Sequence, residues 1–226
     1  MKKNTIVICL LMIGISILSS CDSSSQETIA PVAAAPEQTS QGVIVCMGNS
    51  LTAGYGVDED QAYPALLEER LRKEGMPYTV INAGISGETS SGAQSRLEWM
   101  LTLDPDIVIL ETGANDGLRG VDPDLTRRNI EAIVSELQAR GIVVVLAGMK
   151  MVRNLGPDFT RAFSAIYPEI AREADLILIP FFLEGVAGRP DLNQADGIHP
   201  TPEGYRLIVA NIYPYVLDAI ERYQEK

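Results

Sequence analysis

The pattern of hydrophobic and polar positions alternates between two kinds of segment from about residue 42 onward. Continuously apolar runs rich in β-branched residues predict buried parallel strands, which need no polar alternation when both faces are covered. These runs lie at 43–47, 78–82, 106–111, 142–146 and 176–179. Amphipathic segments predict helices at about 61–74, 90–101, 123–140, 158–173 and 201–222. Repeated strand–helix units indicate an α/β fold whose sheet carries helices on both faces.

This architecture predicts where a functional site lies. In open α/β sheets, ligands bind beyond the carboxyl ends of the strands. The segments expected at that edge are the loops 48–60, 83–89, 112–122, 147–157 and 180–200.

The beginning of the chain has a different pattern. Lys2 and Lys3 precede an apolar run from Ile6 to Leu18. A positive start, an apolar stretch too short for a comfortable transmembrane helix and small residues at its end are typical of an export signal. We therefore expect residues 1–20 to be a signal peptide.

The end of this run, Leu18-Ser19-Ser20-Cys21, resembles a bacterial lipobox, in which the cysteine becomes the lipidated first residue. The alternative is an ordinary signal peptide cut elsewhere, with Cys21 incidental. Lipidation would anchor the exported protein to the cell envelope, either at the inner membrane facing the periplasm or at the cell surface. Residues 21–41, which are small, polar and proline-containing, then form a flexible tether, and 42–226 form the folded domain.

Composition narrows the class of protein. The chain has 226 residues, of which 46% are hydrophobic, enough for one α/β domain with a real core. Its formal charge of −12 argues against a nucleic-acid partner, and no polybasic run is present to hold an anionic membrane surface. Once a signal peptide is removed and Cys21 lipidated, Cys46 is the remaining cysteine, so the domain has no partner for an intramolecular disulfide.

The candidate nucleophile lies in the first of the predicted loops. In the stretch CMGNSLTAGYG, Ser50 follows an apolar strand and is surrounded by glycines. Two interpretations fit this stretch alone: a nucleophilic serine exposed at a turn, or a serine that caps a helix.

The candidate base lies in the last loop, NQADGIHPTPEG. His199 is the single histidine of the chain, so any serine–histidine chemistry must use it. Asp196 precedes it by three residues, close enough to orient the imidazole and stabilise its charged form. Taken alone, His199 fits an ordinary surface-loop histidine that happens to precede Pro200 better than it fits a catalytic base.

Candidate hydrogen-bond donors for an oxyanion lie in the first loop and in the two loops that follow the second and third strands. The backbone N–H groups of Ser50 and Gly87 and the side-chain amide of Asn115 are the candidates. A glycine suits a point where a backbone N–H must approach a ligand closely. The alternative for Asn115 is an Asx-turn within its glycine-flanked loop.

These blocks together resemble those of a known family. Gly48-Asn49-Ser50-Leu51, Gly87, Asn115 in GANDG, and Asp196 to His199 in DGIHP match, in order, the four blocks of the SGNH (GDSL-type) hydrolases. The stretches SLTAGYG, ISGETS, NDGLRG, AFSAIYP and PFFLE are similar to the bacterial thioesterase/lysophospholipase/arylesterase branch. The resemblance implies a three-layer α/β/α sandwich with a flavodoxin-like, mostly five-stranded parallel sheet. It also implies a Ser50–His199–Asp196 triad that needs no metal or other cofactor.

One position departs from the family pattern. Asn49 stands where the family usually has aspartate. It is neither the base nor the triad acid, so we expect the chemistry to survive. The hydrogen bonding around Ser50 is what this change puts in question.

The resemblance favours short-to-medium acyl esters, aryl esters, acyl thioesters and lysophospholipids as substrates, and export disfavours acyl-CoA. Met149, Met151, Val152 and Leu155 either line an acyl-chain groove or pack their own loop. Two further functions fit the same residues: a carbohydrate O-deacetylase or acyltransferase, and a non-catalytic envelope binding protein.

Overall fold

The computed structural model describes residues 39–151 and 155–226. The expected signal peptide, the lipidation site Cys21 and nearly all of the tether lie outside the described residues. Within the two described ranges, no helix is long and apolar enough to cross a membrane.

Five parallel strands form a single sheet in the described part of the chain. Their order is β2-β1-β3-β4-β5. The chain therefore adds β2 on one side of β1 and then β3, β4 and β5 in turn on the other side. The strands are β1 (Val43–Gly48), β2 (Thr79–Gly84), β3 (Ile107–Glu111), β4 (Val143–Ala147) and β5 (Ile177–Ile179). All residues of β3 and β4 are buried, as expected for a sheet covered on both faces. The predicted α/β fold with five parallel strands is confirmed.

Eight helices and one 3-10 turn (Glu59–Gln61) connect or follow the strands in the described ranges. Helices α2 and α8 pack together, α6 packs against α3 and α7, and these two groups cover the sheet as its outer layers. The helices are α1 (Ser50–Ala53), α2 (Tyr63–Lys73), α3 (Ser90–Ser95), α4 (Leu97–Leu101), α5 (Ala114–Arg119), α6 (Pro123–Ala139), α7 (Pro157–Glu173) and α8 (Pro202–Gln224).

The helix predictions differ from the structure in three places. The predicted helix 90–101 is two short helices, because Arg96 leaves helical geometry with φ −105° and ψ 10°. The predicted helix 61–74 begins at Tyr63, after the 3-10 turn. Helices α1 and α5 were not predicted, since four to six residues are too few for an amphipathic period.

Cys46 lies in the middle of β1 and is a fully buried free thiol. Burial raises its pKa to about 12, so the thiol stays protonated and unreactive at ordinary pH. Its role is that of a small apolar residue in the central strand.

Candidate active site

Four of the five predicted loops meet in one cleft of about 280 Å³ at the carboxyl edge of β1, β2 and β3. The loop 147–157 contributes none of the described lining residues. The cleft is lined by Asn49, Ser50, Leu51, Tyr55, Ser86, Gly87, Ala114, Asn115, Leu118, Ile198 and His199. The structure therefore brings Ser50, Gly87, Asn115 and His199 together, although 149 positions separate Ser50 from His199.

Ser50 is the first residue of α1, and only Asn49 separates it from the end of β1. The cap of this helix is Asn49, whose Oδ1 accepts the backbone N–H of Leu51 at 3.0 Å. Gly54, with φ +77°, ends the helix after a single turn. Because Asn49 performs the capping, the Ser50 hydroxyl is left to point into the cleft.

The Ser50 hydroxyl lies at the end of a chain of short hydrogen bonds. Ser50 Oγ is 2.8 Å from His199 Nε2, and His199 Nδ1 is 2.6 Å from Asp196 Oδ2. The other oxygen of Asp196 accepts the backbone N–H groups of Ile198 and His199 at 2.9 and 3.0 Å. The side-chain contact with His199 and then these N–H groups lower the pKa of Asp196 to about 2. An ionised Asp196 accepts a hydrogen from Nδ1, which leaves Nε2 as the acceptor for the Ser50 hydroxyl.

The candidate oxyanion donors line the same cleft. Gly87 has φ +81°, a left-handed conformation that glycine adopts without strain. Asn115 lies in the first turn of α5, and its amide nitrogen donates one hydrogen to the Glu88 carbonyl at 2.9 Å. A second amide hydrogen remains for a ligand in the cleft. The hydrogen bond to Glu88 fixes the Asn115 side chain beside residues 85–89, which we call the Gly87 loop.

Comparison with known proteins decides the family. Residues 46–207 match the model of the GDSL-like Lipase/Acylhydrolase family. The chain belongs to this family. The predicted membership of the SGNH (GDSL-type) hydrolases is thereby confirmed.

Relatives and a solved structure agree with this assignment. The chain is 39% identical to the esterase TesA of Pseudomonas aeruginosa over 179 residues, 79% of this chain and 89% of TesA. It is 38% identical to the thioesterase 1/protease 1/lysophospholipase L1 of Escherichia coli, over 73% of this chain and 78% of the relative. The crystal structure of the psychrotrophic esterase EstA from Pseudoalteromonas sp. is similar with a TM-score of 0.74 and 33% identity, covering 82% of this chain and 100% of EstA. The chain is an SGNH esterase, as its sequence predicts.

The Gly87 loop of this esterase is held by an ion pair that the sequence analysis did not identify. Arg96 contacts both carboxylate oxygens of Glu88, at 2.6 and 2.7 Å, and both side chains are largely buried. Arg96 also donates to the Ala83 carbonyl at 2.7 Å, and its guanidinium lies 5.8 Å from the ring centre of Trp99. This ion pair holds the Arg96 side chain at the point where α3 ends and α4 begins.

Asp116 was also missed, although it follows Asn115 in the GANDG block. Its carboxylate is fully buried and accepts the backbone N–H of Ser90 at 2.8 Å and the Ser90 hydroxyl at 2.5 Å. Thr126 of α6 donates to the same carboxylate at 3.3 Å. Asp116 thus fixes the start of α5, and with it Asn115, to α3 and α6.

Gln194 connects the two ends of the cleft. Its side-chain amide donates to the Tyr55 carbonyl at 2.7 Å and to the Pro200 carbonyl at 3.0 Å. Its backbone N–H donates to the His199 carbonyl at 2.7 Å. The Tyr55 ring, in turn, has its centre 4.6 Å from that of His199. No signal in the sequence distinguishes Gln194 from any other polar loop residue.

The described residues of the methionine-rich loop, Met149, Met151 and Leu155, do not line the cleft. Met149 is buried, Met151 packs against the backbone of Gly117, and Leu155 is partly exposed. Val152 lies outside the described residues. These contacts favour loop packing for the two methionines. The apolar walls of the cleft come from other residues: Leu51, Tyr55, Ala114, Leu118 and Ile198.

Proposed function

We propose that this esterase cleaves acyl esters through a covalent intermediate on Ser50. The observation that carries the proposal is the continuous hydrogen-bonded chain from Ser50 Oγ through His199 to Asp196, with contacts of 2.8 and 2.6 Å inside the cleft. His199 acts as the general base, and Asp196 orients the imidazole and stabilises its charged form.

In the first half-reaction, His199 Nε2 takes the hydroxyl proton while Ser50 Oγ forms a bond to the carbonyl carbon of the ester. The N–H groups of Ser50 and Gly87 and the Asn115 amide stabilise the negative oxygen of the tetrahedral intermediate. The intermediate collapses, the ester bond breaks, and the leaving group receives the proton from His199. A water molecule, activated by His199, then releases the carboxylic acid and restores Ser50.

The substrates we propose are short-to-medium acyl and aryl esters, acyl thioesters and lysophospholipids. The names of the relatives support this range, since one is called an arylesterase and another a thioesterase and lysophospholipase. The cleft supports it as well, because Leu118 and Ile198 are about half exposed at its mouth and offer apolar contacts to an acyl chain.

The test combines a serine-directed fluorophosphonate probe with a substrate panel. We expect the probe to label the wild-type protein and the Ser95→Ala variant, whose exposed serine lies outside the cleft, but not Ser50→Ala. The panel contains p-nitrophenyl esters, acyl thioesters, lysophospholipids and acetylated sugars. Undiminished esterase activity in Ser50→Ala contradicts the proposed nucleophile, and a preference for acetylated sugars replaces the proposed substrate class with glycans.

We further propose that the esterase is exported and lipid-anchored to the cell envelope through Cys21. The support is the sequence alone: the charged start, the apolar run and the Leu18-Ser19-Ser20-Cys21 ending. Metabolic labelling with a fatty acid should mark the wild-type protein and Cys9→Ser, but not Cys21→Ser. Equal labelling of Cys21→Ser, or a wild-type protein recovered without lipid, contradicts the anchor.

A further inference from the structure

A carboxyl group without a role in the proposed chemistry lies beneath Ser50. Glu111 is the last residue of β3 and is paired in register with Gly48, two residues before Ser50. Its side chain is completely buried and does not line the cleft. Burying a carboxyl group costs folding free energy unless its oxygens are hydrogen-bonded. The contacts of Glu111 therefore indicate its role.

Every hydrogen bond of the Glu111 carboxyl group goes to a residue on either side of Ser50. The Asn49 amide nitrogen donates to Oε1 at 2.5 Å. The backbone N–H of Asn49 and the Thr52 hydroxyl donate to Oε2 at 3.1 and 2.9 Å. The carboxyl group therefore holds the residue before Ser50 and the residue two positions after it.

The orientation of the Asn49 amide is fixed by its own contacts. Its oxygen accepts the Leu51 N–H at 3.0 Å, so its nitrogen must face Glu111. One side chain thus joins the buried carboxyl group to the first turn of α1. There is also no spare room, because a Cβ added to Gly48 would come within 2.6 Å of Glu111 Oε2.

We propose that Glu111 is a positioning residue for Ser50. The Glu111 carboxyl group, which accepts a hydrogen bond from the Asn49 amide, holds the first turn of α1 so that Ser50 Oγ points at His199 Nε2. This inference rests on the proposed role of Ser50 as the nucleophile. It also gives the amide at position 49 a defined role in this chain. With aspartate there, two carboxyl groups would meet at the 2.5 Å contact and would have to share a proton.

The test exchanges the two partner groups. In Glu111→Gln, the new NH₂ group faces either the Asn49 amide or the Asn49 backbone N–H, so donor meets donor in both orientations. In Asn49→Asp, two carboxyl groups face each other. In the double variant Asn49→Asp/Glu111→Gln, the amide introduced at position 111 donates to the new carboxylate, while its oxygen accepts from the backbone N–H and from Thr52. Hydrogen bonding is then complete again.

The readouts, taken at about pH 9 so that the wild-type Glu111 carboxyl group is ionised, are the second-order rate constant for fluorophosphonate labelling of Ser50 and the kcat and KM for a p-nitrophenyl ester. We expect each single variant to lower the labelling rate and kcat about tenfold or more with little change in KM, and the double variant to recover most of both. Leu137→Ala removes buried volume near the opposite edge of the sheet, and we expect it to lower stability without slowing the labelling of folded protein.

Three outcomes overturn the proposal: unchanged labelling and kcat in folded single variants, an equal loss in Leu137→Ala, or a double variant no better than the single ones. If Glu111→Gln does not fold, Thr52→Val removes one donor at nearly constant shape, and an unchanged labelling rate in that variant contradicts the proposal. Absence of Ser50 labelling in the wild type is a different result, because it contradicts the proposed nucleophile itself.

Discussion

Ser50 and the Asp196–His199 pair of the candidate triad are held in position in two different ways. Ser50 is held from the core, through Asn49 and Glu111, which are almost completely buried and 62 positions apart in the chain. Asp196 and His199 lie on a loop, three positions apart, and 39% of the Asp196 side chain is exposed. The fold as a whole therefore sets the position of the nucleophile, while four consecutive residues set the geometry of the base. Substitutions should separate these two regions.

The largest expected effect is on activity alone. Asp196→Asn keeps an oxygen for the N–H groups of Ile198 and His199 but no longer accepts a hydrogen from Nδ1 as a carboxylate. We expect kcat to fall about 10⁴-fold. Because the contacts of Asp196 are local and exposed, the free energy of unfolding at neutral pH should change by less than about 1 kcal/mol.

Asp196 also predicts the pH dependence. Since its pKa in the folded protein is about 2, the carboxylate stays ionised in mildly acidic solution. The lowered pKa of Asp196 stabilises the folded protein at pH values above the ordinary pKa of an aspartate. This contribution is lost only as the pH falls toward about 2. Protonation of Asp196 should therefore not lower kcat/KM in mildly acidic solution. An NMR titration of the Asp196 carboxyl carbon with its midpoint at the ordinary value of about 4 would contradict the lowered pKa.

The next largest effect is on stability and concerns Glu111, which supports Ser50 from the core. Burial raises the pKa of Glu111 from 4.5 to about 8, against the opposing hydrogen bonds from Thr52 and Asn49. The folded state therefore binds this proton more tightly than the unfolded state, and stability falls as the pH rises from about 5 to about 8. At about 1.4 kcal/mol per pKa unit, the loss amounts to several kcal/mol.

Urea unfolding of the wild type and of Glu111→Gln across this pH range measures the effect. The difference between the two proteins isolates Glu111 from other groups. Three buried tyrosines, Tyr63, Tyr167 and Tyr205, interact with this carboxyl group. Burial raises the pKa of each, so they stay uncharged here. Parallel pH dependences of the two proteins would show that Glu111 does not titrate in this range.

A smaller loss of activity is expected for Asn115, which lines the cleft but belongs to neither of the two regions. Asn115→Ala removes one oxyanion donor, and such donors contribute about 10²–10³-fold to kcat. Asp116 still fixes the start of α5, so the fold should remain intact. We expect KM for a p-nitrophenyl ester to change little, because the donor acts mainly on the transition state. A fall in kcat/KM that comes entirely from KM would instead assign Asn115 to substrate binding.

The smallest effect concerns the connection between the regions. Gln194→Ala removes two hydrogen bonds, to the carbonyls of Tyr55 and Pro200. Each is worth about 1 kcal/mol, and we expect a kcat loss of about tenfold or less. The matched control is Gln138→Ala, which removes a hydrogen bond to the Ala174 carbonyl far along α6. An equal loss of kcat in that control would show that the effect is one of general stability.

The sequence predicts the fold well because its strands are buried runs with a strong signal. The strands β1 and β3 begin and end within one or two residues of the predicted 43–47 and 106–111. The short helices α1 and α5 escape prediction, because their positions depend on turns at Asn49 and Gly113 rather than on a repeated apolar pattern.

The same difference applies to the site. Ser50, Gly87, Asn115, Asp196 and His199 are recognisable in the sequence, because they follow predicted strands and together match, in order, the four blocks of the SGNH hydrolases. Glu111, Arg96 and Gln194 are not recognisable, because their importance comes from long-range contacts. A glutamate that ends an apolar strand gives no indication that it will be buried beneath a serine 61 positions before it in the chain.

Trp99, the single tryptophan of the chain, lies close to the guanidinium that holds the Gly87 loop through Glu88. It is 54% exposed, and its ring is outside the cleft. Indole emission responds to a nearby charge, so movement of Arg96 should change the fluorescence of this one residue. The fluorescence of Trp99 therefore reports on the position of Arg96 during turnover, without an attached dye.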